Sequence, residues 1–174
     1  MNNAFNLLRE NIMEKTGDCI CNEEERYVRF GIDGKRISTE ATIVVSHDLI
    51  AMFAVFPFKI PKKRLSAIAE FLMRINGGIP IGSFHLNFRE EKVSFYIAVP
   101  IEEETIAKEQ MADTVHMMMH QSIWQINRMS ESFMNVAFKN MSPSMAVQLI
   151  NRIETKPMKT ADSKLTDIAS IHQN

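Results

Sequence analysis

The stretch from Leu65 to Pro100 constrains this chain most. Leu65, Ile68, Leu72 and Ile75 recur on one face of a helix, with Ala69 and Phe71 beside them. Pro61 stands ahead of that helix, where a first-turn proline is tolerated. Asn76-Gly77-Gly78 ends it, because Asn and Gly accept the left-handed conformation of a helix C-cap. Phe84, Leu86 and Phe88 then alternate with Ser83, His85 and Asn87, Arg89 to Lys92 form a polar turn, and Val93, Phe95, Ile97 and Val99 make the returning row. A helix that stops on glycine and hands over to an antiparallel hairpin predicts an α+β fold.

The preceding residues supply more of the same sheet. Phe5, Leu8, Ile12 and Met13, widened by Leu7, predict a short first helix ending at Gly17. Gly17 to Arg26 reads as a polar connection with the solvated acidic run Glu23-Glu24-Glu25. Val28, Phe30 and Ile32 share one strand face, and Asp33-Gly34 predicts a two-residue hairpin turn with positive φ at both positions. Ala41, Ile43 and Val45 follow on a second strand. Leu49 to Phe56 is a nearly continuous apolar run, which suits a central strand covered on both faces or one with a partner on its second face.

Beyond Pro100, Glu102-Glu103-Glu104 place negative charge where a helix N-terminus favours it. Thr105 to Met141 contains neither proline nor glycine, and Met111, Val115, Met118, Ser122, Ile126, Met129, Phe133 and Val136 form a seam at steps of three and four. Unbroken, such a helix is about 55 Å long, whereas strands of roughly eight residues span about 26 Å. It must break or overhang its sheet. Ser142-Pro143 predicts a last short helix with Ser142 as N-cap and Met145, Leu149 and Ile153 as its apolar face. The expected order is α-β-β-β-α-β-β-α: a single domain over residues 1–153 with a five-stranded antiparallel sheet and a long C-terminal helix. Residues 154–174 are expected to be a polar, mobile tail, with a weakly amphipathic segment at Leu165, Ile168 and Ile171.

Candidate chemistry is sparse. Asp113, His116 and His120 lie one turn apart on the long helix and could approach one metal ion, but Met117 stands where a zincin needs glutamate after its first histidine. A polar strip beside the methionine seam is the simpler account, so no metal and no cofactor is expected. Cys19-Ile20-Cys21 lacks the two-residue spacing of a redox or zinc pair. Ser46-His47-Asp48 holds hydrolase residue types without a nucleophile elbow and reads as a turn. Lys59, Lys62, Lys63 and Arg64 crowd a helix start, where the dipole disfavours them, and this could mark an anion site or an ordinary basic patch. No catalytic constellation emerges, so the chain is not expected to be an enzyme.

Charge and length exclude further classes. A net charge of -1 argues against whole-protein attraction to nucleic acid or anionic lipid. The N-terminal residues lack the apolar core of a signal peptide, and the dozen apolar residues from Leu49 are too few for a membrane span of roughly 20. Two cysteines are too few for a disulfide framework. A cytoplasmic protein is expected. Seven of 13 methionines fall in the long helix, beside Trp124, Phe133 and Phe138, and Met117-Met118-Met119 covers more of its circumference than one sheet-facing stripe requires. Methionine suits adaptable binding surfaces. Met111, Val115, Met118, Met119, Trp124, Ile126, Met129 and Phe133 are therefore the expected contact residues for a protein partner, most simply a second copy.

The segment Ala69 to Asn76, followed by Ile79-Pro80-Ile81-Gly82-Ser83-Phe84-His85-Leu86-Asn87-Phe88 and Val93-Ser94-Phe95, resembles the YbjN-type family of bacterial proteins, often labelled as candidate sensory transduction regulators. Gly82, Phe84 and Leu86 occupy its Gly-x-Phe-x-Leu strand. The resemblance implies a type III secretion chaperone-like fold and a non-enzymatic, commonly dimeric protein. The expectation is a homodimeric, protein-binding regulatory or chaperone-like protein with an unidentified client. The alternatives are a dedicated secretion chaperone for one effector, or a small-ligand or metal-binding protein using Asp113, His116 and His120.

Overall fold

The computed structural model describes residues 3–154. In chain order it contains α1 (Asn3–Thr16), β1 (Ile20–Asn22), β2 (Tyr27–Ile32), β3 (Thr39–Val45), β4 (Leu49–Val55), a 3₁₀ turn (Lys62–Arg64), α2 (Leu65–Asn76), β5 (Ser83–Asn87), β6 (Lys92–Pro100), α3 (Lys108–Phe138) and α4 (Pro143–Glu154). The strands form one antiparallel sheet in the order β1-β2-β3-β4-β6-β5. The fold is α+β with six strands rather than five. The extra strand, β1, lies in what reads as a polar connection. Three residues carry no detectable alternation, and β1 pairs only at the sheet edge, with Ile20 opposite Arg29.

Register gathers the expected apolar rows on one face. Val28 faces Ile43, Ile43 faces Met52, and Met52 faces Ile97, all of them buried. Phe84 and Phe95 extend this layer to the β5 edge at a ring separation of 5.0 Å. The helices cover it, with α1 on β2, α2 on β5 and α3 on β6. Helix α1 buries Phe5, Leu8 and Ile12 as expected, but Met13 is exposed and Asn11 is buried in its place. Gly17, at φ +73°, ends it.

Helix α3 is continuous, 31 residues or about 46 Å. The length that outruns the strands does not project freely. It is covered by α1, α2 and α4, and its buried positions run from Met111 to Ala137. Ser132 Oγ donates to Ala146 O on α4 at 3.1 Å. Ser142 caps α4 as expected, accepting from Met145 N, but the apolar face is rotated by one residue: Ala146 and Ile150 are buried while Met145 is exposed. The side chain of Ile153 lies outside the described residues, as do the expected tail and its segment at Leu165, Ile168 and Ile171.

Two turns differ from expectation. The β2–β3 loop runs from residue 33 to 38, and neither Asp33 nor Gly34 has positive φ. The loop is longer because it reaches α3, where Arg36 N donates to Asn127 Oδ1 at 3.1 Å and the Arg36 guanidinium pairs with Glu131 at 3.1 Å. At the end of α2, Gly77 is right-handed, with φ −62°. Asn76 makes the handover through its side chain instead. Its Oδ1 accepts from Phe84 N at 2.8 Å and its Nδ2 donates to Phe84 O at 2.9 Å, so the amide pairs with the start of β5 as another strand would.

Candidate interaction surfaces

Alternation along the strands determines what the sheet shows to the other side. Positions between the buried rows place Tyr27, Val44, Ala51 and Ala98 in one cross-strand row, and Arg29, Thr42, Phe53, Tyr96 and Ser83 in the next. The Phe53 and Tyr96 rings lie 4.9 Å apart across β4 and β6, and Phe53 is 38% exposed. His85 meets Tyr96 edge-on at 5.3 Å. Leu49 and Val55 complete an apolar centre, and the Arg29–Glu40 ion pair at 3.7 Å lies to one side of it. Among the described residues no helix covers this face. The nearly continuous apolar run of β4 is the signal that points to it, since a strand solvated on one side would alternate more strongly.

The residues expected to meet a partner on α3 sit elsewhere. Met111, Val115, Met118, Ile126, Met129 and Phe133 are each 2% exposed or less and pack in the chain's own core. The core needs a wide stripe on this helix because α1, α2, α4 and β6 surround it on several sides. Met119 is half-buried. Trp124 is 49% exposed, with the Arg128 guanidinium 5.1 Å from its ring centroid. Asp113, His116 and His120 are exposed along α3, with the two imidazole rings 6.3 Å apart. Among the described residues no group of three His, Cys, Asp or Glu side chains could hold a metal ion.

A shallow apolar cavity of about 590 Å³ lies beside the carboxyl-terminal half of α3, lined by Ile37, Pro57, Phe58 and Met134, with Arg36 and Glu131 at its rim. Phe58 also meets Phe138 edge-on at 5.5 Å. The basic residues before α2 divide by role. Arg64 donates to Val136 O at 2.8 Å and Met141 O at 2.9 Å, capping the end of α3, where positive charge is favoured. Lys62 approaches Glu91 at 3.7 Å, while Lys59 and Lys63 are exposed.

At one end of the sheet, Ser46-His47-Asp48 forms the β3–β4 turn, with Ser46 N donating to Leu49 O at 2.8 Å. Beside it the Arg26 guanidinium pairs bidentately with Glu103, and His47 lies 3.6 Å from the same carboxylate. Arg26 holds the Glu103 carboxyl below its ordinary value of 4.5; burial opposes this and His47 adds to it. A carboxylate with a lowered folded-state value stabilises the fold above its unfolded value and loses that contribution as the pH falls through the folded one. Thermal unfolding temperature is therefore expected to fall more steeply below about pH 4.5 in the wild type than in Glu103→Gln. Parallel curves for the two proteins would refute this role.

No protein-family profile matches the chain, and no curated protein matches it in sequence. Among solved structures it is similar to the crystal structure of YbjN, a candidate transcription regulator from E. coli. The likeness spans 70% of this chain and 90% of that one, at 18% identity and a TM-score of 0.51. It shows a shared fold. Among the described residues no helix is long and apolar enough to cross a membrane.

Proposed function

We propose that this chain is a non-enzymatic, protein-binding regulatory protein that pairs with a second copy through the open face of its sheet. The observation that carries the reading is the uncovered apolar centre around Phe53 and Tyr96 on the adjacent strands β4 and β6. Contiguous exposed apolar surface of this kind marks interaction sites. A second copy fits it because the face carries little net charge: Arg29 and Glu40 offset each other and Lys92 lies at one end, so two such faces approach with little net repulsion. The non-catalytic part is supported by the scatter of the polar candidates, with Glu103 committed to Arg26 and the α3 histidines lying on an exposed helix flank. The regulatory part takes its lead from the description carried by the protein of similar fold.

Sedimentation at micromolar concentration tests the pairing. The wild type is expected to run as a dimer and Phe53→Lys as a monomer with an unchanged circular dichroism spectrum. A monomeric wild type, or a dimer that survives both Phe53→Lys and Tyr96→Lys, would overturn it.

A further inference from the structure

Cys19 closes the connection from α1, and Cys21 stands in the middle of β1. Two residues apart in extended chain, they project to the same side. Both are half-buried against the core, and their Sγ atoms are 3.5 Å apart. We infer that this pair is a bidentate dithiolate site for a soft divalent cation.

The distance separates this from a disulfide. At metal–sulfur bonds of about 2.3 Å, as for zinc, a sulfur–sulfur span of 3.5 Å subtends an angle of about 100° at the ion, close to tetrahedral. The sulfur separation already matches that of two thiolates on one tetrahedral ion. A disulfide needs the sulfurs at about 2.05 Å, a closure of about 1.5 Å, across Cα atoms that in extended chain lie near the outer limit for bridging. Binding balances as one cation displacing two thiol protons. Cys19 holds its proton firmly: burial, its contact with Cys21 and the nearby Asp18 charge push it up to about 11, and Arg9, itself paired with Glu23, works the other way. Among the described residues no third His, Cys, Asp or Glu joins the pair. The ion therefore keeps positions open to water or to an incoming ligand, unlike a closed four-ligand structural site. Such a site exchanges its ion.

The test uses the full chain, kept reduced with a phosphine under nitrogen and titrated with Cd²⁺ while the sulfur-to-cadmium charge-transfer absorbance is followed. One Cd²⁺ per chain is expected. Cys19→Ser and Cys21→Ser, each folded by circular dichroism, should weaken binding roughly tenfold or more, while His116→Ala should leave it unchanged. Half an ion per chain, which would mean an ion bridging two molecules, overturns the inference. So does an absent band, a band that survives in either serine variant, or one lost with His116. Should a serine variant fail to fold, the corresponding alanine variant carries the same comparison.

Discussion

Phe133→Ala is expected to lower folding stability by about 3–5 kcal/mol, the range for removing a buried aromatic ring from a core. Phe133 is 1% exposed and stacks on Phe56 at 4.6 Å with an interplanar angle of 18°, while Phe58 packs at 5.6 Å. These rings join the carboxyl-terminal turns of α3 to the segment that leaves β4. The alanine variant would therefore open a cavity between two elements that neighbouring side chains cannot easily close. Phe133→Leu keeps most of the volume and should lose far less. Urea unfolding of the three proteins checks this; a loss below about 1.5 kcal/mol for the alanine variant would show that the stack is not a principal tie.

Gly82→Ala is expected to be comparably damaging, at roughly 2–5 kcal/mol from backbone strain and overpacking together. Gly82 has φ +82°, and a Cβ there would stand 2.5 Å from Phe95 Cζ and 2.8 Å from Tyr96 O. Phe95 is fully buried and the Tyr96 carbonyl belongs to the backbone of β6, so neither can move away cheaply. Gly77→Ala is the control. Its φ is ordinary and nothing lies within 4 Å of its added methyl, so it should be neutral or stabilising by about 0.4–1 kcal/mol. Equal effects at the two positions in chemical denaturation would contradict the account.

These two glycines also show where the sequence was legible. Asn76-Gly77-Gly78 marks the end of α2 correctly, but for another reason: the Asn76 amide binds the backbone of Phe84 while Gly77 stays right-handed. Strand faces could be read because alternation is local: the expected rows of β2 and β3 are buried, as are Val93, Phe95 and Ile97 on β6 and Phe84 on β5, while Val99 and Leu86 are half-buried and Phe88, just past β5, is exposed. Three things depended on partners remote in sequence and could not be read. The β2–β3 loop is shaped by Asn127 and Glu131, more than 90 positions away. The charge of Arg64 is explained by the carbonyl end of α3. The methionine seam was visible as a wide stripe, but only the packing of α1, α2 and α4 around α3 shows that the stripe faces inward. The open sheet face had a signal in the apolar run of β4, and locating its centre required the β4–β6 register that sets Phe53 beside Tyr96.

That register also bears on how the chain assembles. β1 to β4 form an uninterrupted meander, and β5 and β6 form a hairpin, so each unit can pair through short loops. They meet along one seam, Leu49 opposite Pro100 through Val55 opposite Ser94, closed across the whole of α2 and its flanking turns. The entropy of closing the longest loop in the sheet is therefore concentrated at β4–β6. Until that seam zips, the hairpin has no strand of its own chain to join, and the β4 edge of a neighbouring molecule offers it the same pairing.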